Sequence, residues 1–298
     1  MAGTDEEAVA AEDDALYVLT AVLLTPAQFP SVLGDDYPEA CAALGLAPLA
    51  EGYGLVLGQD GTGARWTVAI DDVSLVAVAI ASWDCGMEYD LSPDERTVVA
   101  ALPGWPLAVA VAAPGVPAPH DPEPEASDGP LLSPPDTSTW GPAQRRLGAD
   151  EIALQWAMWR EQIGDDAFST PGDPGTEAVG GKAGDGAGKG QGAVADGALP
   201  ERSGEAGPTG HRGIRRVLAE ARAYVDSPPP LGRVRSSFAP GDARTLRADG
   251  PGWSMVARTD DIAFVLLDEE PGEVLPVGRG AELPGLLEAL DRLAVRPS

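Results

Sequence analysis

Apolar residues along the chain gather into short blocks separated by Gly, Pro and Asp, and few blocks keep a single clean period. Residues 15–24, "ALYVLTAVLL", are almost continuously apolar and predict a buried strand or a short helix. Thr25 followed by Pro26 predicts a helix start at "TPAQFPSVLG". The segment "DDYPEACAALGL" predicts a second helix ending near Gly45. Strand grammar follows in "YGLVLGQ", "ARWTVAID" and "VSLVAVAIASW", with the turn "DGTG" after the first. Ser92 and Pro93 predict a helix over 92–104, and "WPLAVAVAAP" another strand.

Residues 114–139 break this pattern. Eight of these 26 are Pro, which predicts an extended, stiff linker. Beyond it, "DEIALQWAMWREQIG" places Ile152, Trp156, Trp159 and Ile163 at spacings of 4, 3 and 4, one stripe of a helix. Residues 169–210 hold thirteen Gly, no aromatic residue and few large aliphatics. Such a stretch buries too little to offset an ordering cost of about 1–2 kcal/mol per residue, so a disordered tether is expected, reaching about 35–40 Å. The chain closes with the predicted helix "GIRRVLAEARAYVDS", further hairpin grammar and the predicted helix "ELPGLLEALDRLAV".

One phrase is spelled twice. "DGTGARWTVAIDDVSLV" begins at Asp60 and "DGPGWSMVARTDDIAFV" at Asp249. Identities fall at Asp60/Asp249, Gly61/Gly250, Gly63/Gly252, Trp66/Trp253, Asp71/Asp260, Asp72/Asp261 and Val76/Val265. Each copy reads as turn, strand, turn and an apolar strand covered on both faces. Both a true duplication and convergence of two hairpins fit. The expected fold is α+β: two packed modules, each a short antiparallel meander with flanking helices, joined by Pro-rich and Gly-rich linkers. The divisions are an acidic tail (1–14), an N-terminal module (15–113), the Pro-rich linker (114–139), a Trp-bearing helix (140–168), the tether (169–210) and a C-terminal module (211–298). At the level of fold alone this layout resembles secretion-chaperone-like and immunity-type α+β proteins, which implies nothing about activity.

Charge changes the picture most. The net charge is −27, and residues 1–140 carry 23 acidic side chains against Arg65 and Arg96. Residues 211–250 reverse the balance, with eight Arg against four carboxylates. A surface this acidic repels phosphate backbones and anionic bilayers, so nucleic acid and membrane are not expected partners; a basic protein is. Arg215, Arg216, Arg222, Arg233 and Arg235 are expected to complement the acidic module, within one chain or across a homodimer. Cys41 and Cys85 make neither a disulfide framework nor a metal pattern and suit a cytoplasmic setting.

Catalytic chemistry is hard to place. His120 lies in the Pro-rich linker and His211 at the end of the tether, where no rigid shell for an imidazole is expected. Lys182 and Lys189, the only lysines, lie in the tether, and "GKAGDGAGKG" fails as a phosphate loop. Acidic neighbours disfavour a reactive thiolate at Cys85. No cofactor is expected. Asp84, Glu88 and Asp90 form a possible cation-binding or acidic cluster, and Trp156, Trp159 and Arg160 a possible partner-binding surface. The leading expectation is a non-enzymatic cytoplasmic protein-binding protein: an adaptor, chaperone or regulatory subunit. The alternatives are a carboxylate-based, metal-assisted hydrolase and an acidic inhibitor that mimics nucleic acid.

Overall fold

A computed structural model describes residues 15–123, 129–163 and 211–297. The acidic tail, the Gly-rich tether and both lysines lie outside the described residues. The fold is α+β, with two antiparallel sheets whose strands follow chain order. The first contains β1 (Tyr17–Leu24), β2 (Tyr53–Gln59), β3 (Arg65–Ile70) and β4 (Val98–Pro103). Helix α1 (Tyr37–Ala43) interrupts it after β1, and α2 (Val73–Asp84) after β3. Helices α3 (Pro142–Leu154) and α4 (Trp156–Glu161) come next. Then α5 (Arg212–Asp226) precedes the second sheet, β5 (Val234–Phe238), β6 (Arg244–Gly250), β7 (Trp253–Arg258), β8 (Ala263–Leu267) and β9 (Glu270–Val277), and α6 (Leu283–Leu293) follows it.

The second sheet is covered on both faces, as its apolar central strand requires. Ile214, Val217 and Ala221 of α5 and Leu286, Leu287 and Leu290 of α6 pack against Trp253, Met255 and Val265. On the opposite face Ile152 of α3 and Trp156 of α4 pack on Val256, Phe264 and Leu266. The first sheet is also faced twice. Tyr37, Ala40 and Cys41 of α1 join Leu55, Leu57 and Trp105 on one side, and Val76 and Ala79 of α2 join Val56, Val68 and Ile70 on the other.

The doubled phrase lands on corresponding hairpins, β2–β3 and β6–β7. In the first, Asp60 Oδ1 accepts from the Thr62 and Ala64 amides at 2.9 and 3.0 Å, and Oδ2 accepts from the Trp66 indole at 3.0 Å. The second turn is tighter: Gly250 pairs with Trp253 across Pro251 and Gly252, the latter at φ +76°, whereas the last pair of the first hairpin, Gln59 with Arg65, spans residues 60–64. Beyond that point the copies diverge. Residues 263–267 form the expected buried strand, whereas 73–84 form a helix, so Val76 and Val265 have no structural correspondence. Asp72 decides this locally, because its carboxylate accepts from the Leu75 amide at 3.1 Å and caps the helix. Gly54 makes room for it: a Cβ there would lie 2.2 Å from Val76 Cγ2.

Three other expectations are corrected. The helix expected over 92–104 is a turn closed by Asp94, whose side chain takes the Arg96 amide at 3.0 Å, followed by β4, the fourth strand of the sheet. The helix expected at Thr25 is a turn in which Thr25 Oγ1 accepts from the Gln28 amide at 3.0 Å; Pro30, without an N–H, would break a helix there. The strand expected over 105–114 finds no ladder, and Ala113 donates instead to the Gln59 side chain at 2.8 Å. The described parts of the Pro-rich linker lie along the first module, bridged at Ala64–His120 and Gly104–Leu132.

The modules meet through a buried ionic seam centred on α3. Arg145 sits 3.2 Å from Asp268 and 3.3 Å from Asp35, and Arg146 binds Asp35 and the Ser31 carbonyl. Arg247 bridges Asp150 and Asp249, and Ser31 also donates to Asp150. Arg235 stacks 4.4 Å over the Phe29 ring and lies 3.6 Å from Asp249, whose Oδ2 accepts no hydrogen bond. Arg233 meets Asp36 at 2.9 Å. Five guanidinium groups thus face five carboxylates, so each buried charge has an opposite charge beside it, which offsets part of the cost of burial. Of the arginines expected to complement the acidic module, Arg233 pairs with its Asp36, while Arg235 reaches only its Phe29 ring and pairs with Asp249 of the second module. Arg216 and Arg222 instead pair with Glu269 and Glu282 of their own module, and Arg215 is exposed.

Candidate functional site

The outer face of α2 stands apart from the rest of the surface. Its sequence, "VSLVAVAIASWD", is apolar at nearly every position, a pattern that belongs to a helix covered on all sides. Here only one side is covered. Val76, Ala79 and Ser82 face the sheet and are buried, while Val78 is 48% exposed and Trp83 is 36% exposed. The apolar surface continues past the helix end at Cys85 into Met87, 58% exposed, and Tyr89, 39% exposed. Four large apolar side chains within twelve positions are therefore in contact with water.

The helix is firmly mounted. At its start Asp72 accepts from the Ser74 hydroxyl at 2.6 Å and from the Leu75 amide, and these donors hold its carboxyl below the ordinary value. At its end the Met87 amide returns to the Ser82 carbonyl at 2.8 Å, with Gly86 at φ +72°. Asp90 Oδ1 then accepts from the Ser92 amide and hydroxyl at 2.9 and 2.8 Å, which lowers its pKa and closes a local turn in the loop.

This turn shapes a depression of about 420 Å³ between the end of α2 and the start of β1. Trp83 and Tyr89 line it together with Glu88 and Asp90, and Leu16 and Val18 supply apolar floor. The surroundings are anionic, with Asp84, Asp94 and Glu95 nearby in sequence. Both arginines of the first module are engaged: Arg65 with Asp121, and Arg96 with Asp94 at 2.6 Å. The structure thus places Glu88 and Asp90 of the expected acidic cluster on one depression. Asp84 is exposed on the last turn of α2 and does not line it. Among the described residues no three His, Cys, Asp or Glu side chains are grouped to hold a metal ion.

The expected partner-binding stripe is placed differently. Trp156 is 7% exposed and meets Phe264 edge-on at a centroid distance of 5.2 Å. Trp159 is half-buried beside it, and both Arg160 Nε contacts to Asp261 are 3.1 Å. These groups hold α4 to the second sheet.

Both imidazoles are held, contrary to expectation, but among the described residues neither contacts a Ser, Thr or Cys side chain. His120 Nε2 lies 3.0 Å from the Thr62 carbonyl and Nδ1 lies 2.9 Å from that of Asp121. His211 caps α5: Nδ1 accepts from the Gly213 amide at 3.2 Å, and Nε2 lies 3.1 Å from Glu270. The cap uses the lone pair that a general base would need. Cys41 is buried in the first core, and burial raises its pKa; Cys85 is exposed at the C-cap of α2.

The exposed face of α2 was the feature that sequence reading missed, because "VSLVAVAIASW" reads as a central strand. The available signal was Asp72 followed by twelve residues without Gly or Pro, longer than most strands. Comparison of the chain with family models, with curated proteins and with solved structures finds no match. No helix among the described residues is long and apolar enough to cross a membrane.

Proposed function

We propose that this protein works by binding another protein through the outer face of α2, as a cytoplasmic, non-catalytic adaptor, chaperone or regulatory subunit. The observation that carries the reading is a rigidly capped helix whose apolar sequence suits burial on every side and which has only one side covered. Exposed Trp and Tyr are the residue types that dominate binding energy at protein interfaces. The charge of the surrounding module, 23 carboxylates against two arginines over residues 1–140, favours a basic partner and speeds its approach.

Affinity capture from a lysate of cells that express the protein tests this. A stoichiometric partner should be retained by the wild type and by Val225→Asp on α5, and lost from Val78→Asp. Retention by Val78→Asp at the wild-type level, with folding intact by circular dichroism, would exclude this face.

A further inference from the structure

We propose that the depression at the end of α2 is a receptor for a cationic side chain, arginine above lysine, projecting from the apolar face of a basic partner segment. This inference rests on the protein-binding reading of α2 and names the chemistry that the partner must bring.

Three observations carry it. Trp83 and Tyr89 border the same depression, and aromatic faces attract a guanidinium or ammonium group. Glu88 and Asp90 line it as well; Glu88 and Oδ2 of Asp90 accept no hydrogen bond from described residues, so both can receive donors. Finally, Arg65 and Arg96 are already paired elsewhere, so the module holds no basic side chain of its own to fill the place. Arginine suits the site better than lysine because its planar head stacks on a ring while donating in plane to a carboxylate.

A second copy of this chain fits poorly. It would set two strongly acidic modules face to face, and arginines 216, 222, 233, 235, 244 and 247 of each copy are held in its own ion pairs; Arg212, Arg215 and Arg279 are exposed and make no ion pair among the described residues, so the oligomeric state is measured beside peptide binding.

The test uses the full chain and synthetic amphipathic helical peptides of about 18 residues, five turns, that share a leucine face. One carries arginine beside that face, one carries citrulline, the neutral isostere, and one carries glutamate. Binding is followed by calorimetry and by the amide and indole nitrogen–proton spectrum, with Trp83→Phe assigning the Trp83 indole. The arginine peptide should shift the Trp83 indole and the Val78 amide and bind about tenfold more tightly than the citrulline peptide. The glutamate peptide should be weakest. The double variant Glu88→Gln, Asp90→Asn should bring the arginine peptide down to the citrulline level and leave the citrulline peptide unchanged.

Equal binding of the arginine and citrulline peptides, with both shifting Val78, would overturn the cation receptor while leaving α2 as a docking face. Failure of every peptide to shift Val78 or Trp83 would remove both. A concentration-dependent dimer that protects Trp83 would replace the cationic partner with a second copy.

Discussion

Arg233 Nε lies 2.9 Å from Asp36 Oδ2, and the other oxygen of the same carboxylate accepts from the Glu39 amide at 2.8 Å. One side chain therefore starts helix α1 in the first module and receives a cation from the second. Beside it the Tyr37 amide donates to the Leu231 carbonyl at 3.1 Å, so backbone and side chain cross the junction together.

Asp36 should consequently be worth more than either role alone. Asp36→Ala removes a helix cap and leaves Arg233 unpaired, an expected loss of about 2–4 kcal/mol. Asp36→Asn keeps the cap and loses only the ionic part, about 1–2 kcal/mol. Urea unfolding of the two variants beside Arg233→Ala separates the contributions.

Asp249 carries the deepest part of the seam. Asp249→Ala leaves Arg235 and Arg247 buried against less negative charge and is expected to cost about 3–5 kcal/mol. Replacing Arg247 and Asp249 together by Met and Leu should recover much of that loss, because the desolvation penalty disappears with the charges. Thermal melts of the single and double variants decide it.

Acid should act through the same carboxylates. Burial alone would raise the pKa of Asp249, but Arg247, Arg235 and the Ser254 hydroxyl outweigh it and hold the value below the usual range. Asp60 is depressed too, since its hydrogen bonds from Thr62, Trp66 and Ala64 exceed the effect of burial. A depressed folded-state pKa means that the unfolded chain takes up the proton first as pH falls. The stabilisation is therefore complete above the unfolded carboxylate value near about 4 and is lost as pH drops through the folded value. The stability difference between wild type and Asp60→Asn, about 1 kcal/mol at pH 7, should shrink towards zero below pH ~4, as read by urea titrations at each pH.

Trp156 serves the core of the second module. Trp156→Ala is expected to cost about 3–5 kcal/mol, as deletion of a large buried ring does, and to weaken the near-ultraviolet circular dichroism of the folded protein. Trp83→Ala, at the exposed face of α2, should change stability by less than about 1 kcal/mol. The contrast separates the tryptophan that holds the fold from the one offered to a partner.

Much of this architecture was legible in order along the chain. Helices α1, α5 and α6 carry a cap, a proline or an amphipathic stripe within their own residues. The two hairpins are announced by Asp-Gly and Gly turns, and the imbalance of charge between the modules is visible by counting. These signals are local: a capping oxygen and a turn glycine act within about four residues. The helix over 73–84 was not legible, because a run that is apolar at every position has no period to tell helix from strand. Tertiary structure chose helix: 98–103 took the strand position beside β3, and Gly54 left space for Val76 to come down on the sheet. The same holds for the pairing of Arg145 with Asp268 and of Arg247 with Asp150, partners 123 and 97 positions apart. Composition set how many charges there are, but Coulomb attraction and burial depend on distance in space. Which charges pair, and which face of α2 stays uncovered, was therefore decided only when the two sheets and their helices came together.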